Sequence, residues 1–302
     1  MSFQNWSSRV FLLFLFTAPL AGSALAQYNH PPEQPPTPGT PTLHADLVKT
    51  GLYVFSGGGG NSLLRLSANG FILVNAGLPS EQEVLLRKIK RISDQPIRAL
   101  ILTDSDLSHA GAIGQFLQGD TRIIAQQHTA GRLASPAIPE LTTPGLITFE
   151  NDYTLRLGGV EAQLLHFGNA HTDGDTVVYF PNLKVVAAGA LIGPDVSPNF
   201  SSGGSLIGWR NALRQMLKLD FDVAVPVGGP MQNRAEVEAF KARVDELVNH
   251  ASCLVTDGAT KGQFVSELKK DESTLNLNDS QLLSFYNEFS TTAQDGCTRL
   301  AN

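Results

Sequence analysis

The chain has 302 residues, 42% of them apolar, and a formal charge of −6. It is long enough to bury a real core in one large domain or two small ones. The acidic balance, with no basic run and no basic helix face, argues against nucleic acid and anionic membrane surfaces as partners and leaves an unspecified small molecule or protein.

Residues 1–26 read as an export signal. Arg9 supplies the positive end, VFLLFLFTAPLAG the apolar stretch, and Ala24-Leu25-Ala26 a small-x-small cleavage site before Gln27. The apolar run is too short to span a bilayer, and no later stretch approaches the roughly 20 apolar residues a span needs. The expectation is an exported protein, periplasmic or secreted, with no transmembrane span after signal cleavage. Residues 27–44, QYNHPPEQPPTPGTPTLH, hold six prolines and read as an extended, semi-rigid linker. The main domain is expected over 45–255 and a helical C-terminal extension over 256–302.

The stretch GLYVFSGGGGNSLLRLSANGFILVNAGL reads as strand, glycine-rich loop, strand, Asn69-Gly70 turn and strand. The four glycines at 57–60 are not a phosphate loop, because no Lys-Ser/Thr pair follows and strands flank them. A helix follows, with Ser80 as its expected cap and Leu85, Ile89 and Ile92 on one face. RALIL at 98–102 is a strand. The loop LTDSDLSHAG then leads into a helix expected to run through Phe116-Leu117. TRIIA at 121–125 is a strand and QQHTAGRLA a short helix, ending before a proline-punctuated loop at 136–144.

From Leu146 the pattern changes to strands with turns, LITF, YTLRL, VEAQLLHF, DTVVYF and KVVAAG, with a hairpin at Pro181-Asn182. SLIGWRNALRQMLKL is a helix capped by Ser205, and DVAVP is a strand. A long helix opens with a capping box, Asn233 with Glu236, and its apolar face is Val237, Phe240, Val244, Leu247, Ala251 and Leu254. The tail beyond Gly258 is expected to be helical, with Phe264, Leu268, Leu282, Phe285, Tyr286 and Phe289 as candidate packing residues. Strand-rich blocks with helices between and after them point to an α/β sandwich. Cys253 and Cys297 are candidates for one disulfide in an exported protein, the alternative being two unpaired, half-buried thiols.

Chemistry concentrates in two places. The first is Asp104, Asp106, Ser108 and His109, directly after a strand. The second is the turn Asn-Ala-His-Thr-Asp-Gly-Asp around His171. Asp195 and the serines of SSGGS read as a solvated loop beside them, and His128 and His166 as packing or surface residues. No Gly-x-Ser-x-Gly nucleophile elbow is present.

The order of these segments resembles the metallo-β-lactamase-fold superfamily, in particular its exported zinc-hydrolase-like members. GGNSLLRLSANGFILVNAGL is similar to their opening strands and QPIRALILTDSDLSHAG to the strand and loop carrying a His-x-His-x-Asp-His motif. LLHFGNAHTDGDTVVYFP is similar to the segment with the next histidine ligand. VVAAGALI, FSSGGSLIGW and VPVGGP resemble the later landmarks. The likeness runs from about residue 48 to about 250 and implies a four-layer αββα sandwich with extra C-terminal helices and a metal centre in the cleft at the strand ends.

Compared singly, the residues depart from that motif. Asp104 and Asp106 stand at the first two histidines, Ser108 at the aspartate, and His109 and His171 at histidines. Ala190 replaces a bridging aspartate and Gly228 the final histidine, while Asn75 replaces a non-ligand aspartate. A dizinc hydrolase generates hydroxide on its metals at neutral pH. The resemblance therefore implies a degraded site with no cofactor expected, a pseudoenzyme or binding protein. The alternative is a mononuclear hydrolase of an ester, lactone or amide. It would hold one divalent ion (Mn, Fe, Mg or Zn) through Asp104, Asp106 and His171, a set suited to hard ions.

Overall fold

The computed structural model describes residues 42–57, 59–116, 119–134, 145–194, 196–270, 277–292 and Cys297. The expected export signal, nearly all of the expected linker, the loop at 136–144 and Asp195 lie outside these residues. Of the two units into which contacts divide the chain, Met1–Pro35 and Pro36–Asn302, the described residues all belong to the second.

Strand alternation builds the sandwich. β1 (His44–Lys49), β2 (Leu52–Gly57), β3 (Gly60–Ser67), β4 (Gly70–Val74), β5 (Ile97–Ile101), β6 (Arg122–Gln126) and β7 (Leu146–Phe149) form one sheet in chain order. It is antiparallel through β4 and parallel from β4 to β7. Along β4, Ile72 and Val74 join a core with Leu52, Val54, Ala99 and Ile101, while Phe71 and Leu73 join a different one. A strand buried on both faces reads as a continuous apolar run, as FILV does.

The second sheet runs β13 (Gln232–Asn233), β12 (Val223–Pro226), β11 (Val185–Gly189), β10 (Val177–Phe180), β9 (Val160–Leu165), β8 (Asp152–Leu157). Its Leu155, Ala162, Leu164, Val178, Phe180 and Val185 meet the inner face of the first sheet. The outer face of the first sheet is covered by α1 (Gln82–Ile92) through Val84, Leu85 and Ile89, and by Ala110 of α2 (Leu107–Ala110) and Ala130 of α3 (Gln127–Leu133). The outer face of the second carries α4 (Leu206–Met216), α5 (Arg234–Thr256), α6 (Lys261–Leu268) and α7 (Asp279–Thr291). Trp209, Leu213, Phe240, Val244, Phe264, Leu282 and Phe285 pack there against Val177, Val186 and Ala224. The result is the four-layer αββα arrangement with additional C-terminal helices. Among the described residues, no helix is long and apolar enough to cross a membrane.

Two caps read from sequence are present: the Asn233–Glu236 box on α5 and Ser205 on α4, whose Oγ accepts from Gly208 N at 2.8 Å. Two further boxes, Thr260 with Gln263 on α6 and Asn278 with Gln281 on α7, had no sequence expectation. Two expectations need correction. Ser80 does not cap α1; the N-cap is Glu81, which has no side-chain capping bond because its carboxylate turns away to accept the Gly59 N–H at 3.0 Å. The helix after the DSDLSH loop does not run to Leu117. It is one turn, followed by a short 3-10 segment at Ile113–Gln115. The reason is that the His109 carbonyl accepts from Ala76 N at 2.7 Å, so it is committed outside the helix. Cys253, near the end of α5, is bridged to Cys297 with Cα atoms 4.7 Å apart.

Candidate functional site

The site begins where β4 and β5 end. Asn75, the residue after β4, has φ 63°, a left-handed backbone that asparagine tolerates better than most side chains. Its Oδ1 accepts the Thr103 N–H at 3.0 Å, fixing the first turn of the loop after β5. Across the sandwich, Gly189 at the end of β11 has φ 56°, and a Cβ there would stand 2.8 Å from Thr103 Cβ. Thr176 N donates to Thr103 O at 2.7 Å. The strand ends of both sheets thus press on the stem that carries Asp104.

Asp104 is wholly buried and His109 nearly so. Asp104 Oδ1 accepts Asp106 N at 2.9 Å and pairs with His109 Nδ1; its Oδ2 lies 3.1 Å from Thr103 Oγ1. Asp106 is the N-cap of α2 by position, but its side chain makes no capping bond. Instead its Oδ2 faces His171 Nε2 at 3.0 Å. The other nitrogen of His171 faces the Ser197 carbonyl at 2.6 Å. An imidazole between a carboxylate and a carbonyl serves both by donating from both nitrogens, the protonated form.

Electrostatics agree with that assignment. Burial pulls the His171 imidazole down, but the Asp106 bond and the charges of Asp175, Asp104 and Asp106 outweigh it and raise its pKa to about 9. The Asp106 carboxyl is held below its ordinary value by the bond to His171, against an opposing burial effect. Asp175 behaves differently. Burial drives it up to about 7; the nearby Asp104 charge adds, while His171 and the Thr172 bonds oppose. Its two oxygens accept from Thr172 N at 2.9 Å and Thr172 Oγ1 at 2.7 Å.

The structure therefore gathers Asp104, Asp106, His109 and His171. One donor atom each from Asp104, Asp106 and His109 lies within 4.8 Å of the others. His171 meets that group through Asp106. Ser108 lies half-buried in α2. Ala190 is buried directly after β11. Gly228 follows β12, in a loop held by Asn61, whose Nδ2 donates to Pro226 O at 2.9 Å and Gly229 O at 3.0 Å. No heavy atom lies within 4 Å of where a Gly228 Cβ would stand. His128 and Arg132 of α3 fasten the His171 turn through Asp173, and His166 Nδ1 lies 2.8 Å from the Asp175 carbonyl.

Sequence reasoning did not single out Asp175 or Ser197. Asp175 had a readable signal: an acid immediately before the all-apolar strand TVVYF has no solvent to turn to. Ser197 acts through its carbonyl, which no side-chain pattern announces. Of the serines after it, read as a solvated loop, Ser201 flanks a groove of about 450 Å³ reaching from His171 to α7.

A model of the metallo-beta-lactamase superfamily matches residues 56–228, more than half of the chain. The 2,4-dinitroanisole O-demethylase subunit alpha of Nocardioides sp. (strain JS1661) is 28% identical over 150 residues, 48% of this chain and 44% of that protein. The chain thus spans less than half the length of this curated relative. Among solved structures, a metallo-beta-lactamase from Pontibacter korlensis superposes with TM-score 0.59 at 21% identity, covering 67% of this chain and 99% of its own. The sec-alkylsulfatase Pisa1 from Pseudomonas sp. superposes with TM-score 0.68 at 15% identity, covering 84% of this chain and 51% of its own. At these identities the superpositions speak for the fold alone.

Proposed function

The chain belongs to the metallo-beta-lactamase superfamily, and from that premise we propose an exported member whose cleft binds a ligand instead of holding two zinc ions. The observation that carries this reading is that the cleft's donors are spent on one another. His109 Nδ1 pairs with Asp104, and His171 is committed at both nitrogens, to Asp106 and to the Ser197 carbonyl. A dizinc group does not fit the side chains present. Ser108 is a weak donor, Ala190 offers a methyl and Gly228 nothing, at three positions that the resemblance assigns to ligands. Export is supported by the leader-like residues 1–26 and by the Cys253–Cys297 bridge, a crosslink that persists in oxidising compartments.

A second reading has one observation in its favour. Two carboxylates and an imidazole, Asp104, Asp106 and His109, present donor atoms within 4.8 Å of one another. That set suits a single hard divalent ion in a mononuclear hydrolase. His109 is the imidazole of that set, and His171, the third donor in the resemblance, meets it through Asp106 at 3.0 Å.

Equilibrium dialysis of the purified chain against Zn²⁺, Mn²⁺, Fe²⁺ and Mg²⁺, followed by elemental analysis, separates the readings. The ligand-binding reading expects well under one ion per chain. One ion per chain, lost in Asp104→Ala, establishes the mononuclear reading. Two tightly held ions overturn both.

A further inference from the structure

We propose that the groove between residues 197–201 and α7 is a binding site for an uncharged, hydroxyl-rich small molecule of mono- or disaccharide size. This deepens the reading above and rests on it for a cleft that takes a ligand. The groove holds about 450 Å³, with His171 at one end, a volume within the ordinary range for small-molecule sites. One wall is Ser197, Asn199 and Ser201; the other is Ser280, Gln281 and Ser284 of α7. The second wall lies outside residues 56–228, the part matched by the superfamily model. One wall of the groove therefore comes from the C-terminal helices and the other from within the matched segment.

Charge and hydrogen bonding define the ligand. Among the described lining residues His171 is the single ionisable side chain, and Asp106 faces its Nε2 at 3.0 Å. Among the described residues lining the groove, an anion or cation finds no free counter-charge, so its desolvation goes uncompensated there. The neutral groups, by contrast, keep capacity of both kinds. Ser201 Oγ donates to Asn199 Oδ1, and Ser284 Oγ donates to the Ser280 carbonyl at 3.0 Å. Both hydroxyls retain acceptor lone pairs, while the Asn199 amide N–H₂ and the Ser280 hydroxyl remain available to donate. Ligand groups that both donate and accept match this wall, and hydroxyls do both. Phe200, half-buried and fixed 5.3 Å from the Phe285 ring, offers an apolar face for the C–H side of a sugar ring.

The walls are also held in place before any ligand arrives. Gln281 Nε2 donates to Ser197 Oγ at 2.6 Å, and Asn199 N donates to the His171 carbonyl at 2.7 Å. A preorganised groove loses little in ordering when it binds.

The test titrates the full, oxidised, chelator-treated chain with trehalose, cellobiose and N-acetylglucosamine, and with glucose 6-phosphate and glucosamine as charged counterparts, by calorimetry and ligand-observed NMR. At least one neutral sugar is expected to bind in preference to both charged ones. Ser284→Trp and, independently, Ser201→Trp place bulk in the groove from opposite walls. Each is expected to weaken that binding by about tenfold or more, with the melting temperature unchanged; two variants guard against one failing to fold. Binding of none of the three neutral sugars, binding of the charged probes alone, or equal binding in both tryptophan variants overturns the proposal. Repeating the titration on zinc-dialysed protein separates the two readings. Uptake of two ions with sugar binding intact sinks the metal-free reading alone; a metal-poor chain that binds no neutral sugar sinks this inference alone.

Discussion

Asp104 has no exposed surface, so its charge is tolerable only through its partners, Asp106 N, Thr103 Oγ1 and above all His109. His109→Ala leaves an uncompensated buried carboxylate, and the loss is expected to be about 3–5 kcal/mol in urea unfolding. Its neighbour Ser108→Ala is expected to stay within about 0.5 kcal/mol; equal effects would show that the pair contributes nothing special. The titrating groups add a pH dependence. The His171 pKa rises from 6.5 to about 9, so its stabilisation is complete below 6.5 and is lost as pH climbs through 9. Asp175 rises from 3.8 to about 7, the same sign, so its part is lost across that lower window. Asp106 is depressed and has the opposite sign, eroding only in acid below 3.8. Stability of the metal-free chain should therefore fall from acid to alkaline pH. His171→Gln is expected to flatten the upper window and Asp175→Asn the lower; unchanged slopes in both variants would contradict these assignments. At this scale the sequence was informative about which residues gather, since DSDLSH and NAHTDGD do meet through Asp106 and His171. It was silent on how they pair, because the choice between ligand and salt bridge depends on ångström-scale distances that residue type does not carry.

α7 shows what an element can do from beyond residues 56–228, the segment matched by the superfamily model. Glu288 accepts from Leu206 N at 3.0 Å, Ile207 N at 3.3 Å and Ser205 Oγ, so a carboxylate from the C-terminal extension sits on the N-terminus of α4. Negative charge is favoured there by the helix dipole and by otherwise unpaired N–H groups. Glu288→Ala is expected to cost about 1–3 kcal/mol and to raise hydrogen exchange at Leu206 and Ile207 before it affects the rest of α4. Exchange unchanged at those two amides would place the helix start under some other control. The C-terminal helices were legible through their apolar stripes, and α4 and α5 through their caps as well, because those signals are local. The bond from Glu288 to α4 spans more than eighty residues of sequence, and no local signal reports such a contact. The one-turn α2 escaped for the same reason: the bond from Ala76 that ends it comes from the loop after β4.

Across the whole molecule, the two sheets were legible as apolar runs, but their order was not: strand pairing is a long-range choice that periodicity leaves open, and the layer arrangement came from the order of segments. If the cleft descends from a metal site on an intact scaffold, the combination Asp104→His, Asp106→His, Ser108→Asp, Ala190→Asp and Gly228→His should gain zinc affinity over the parent in competition with a chromogenic chelator. Failure in a folded variant would show that the alignment of these five positions is wrong. Gly228 has a separate consequence. Its backbone is outside the left-handed region and nothing crowds its Cβ direction, so a cysteine could be introduced without displacing a neighbour. A dye on that thiol would make position 228 a fluorescent sentinel in the loop after β12, where a change in emission on titration would announce an arriving guest.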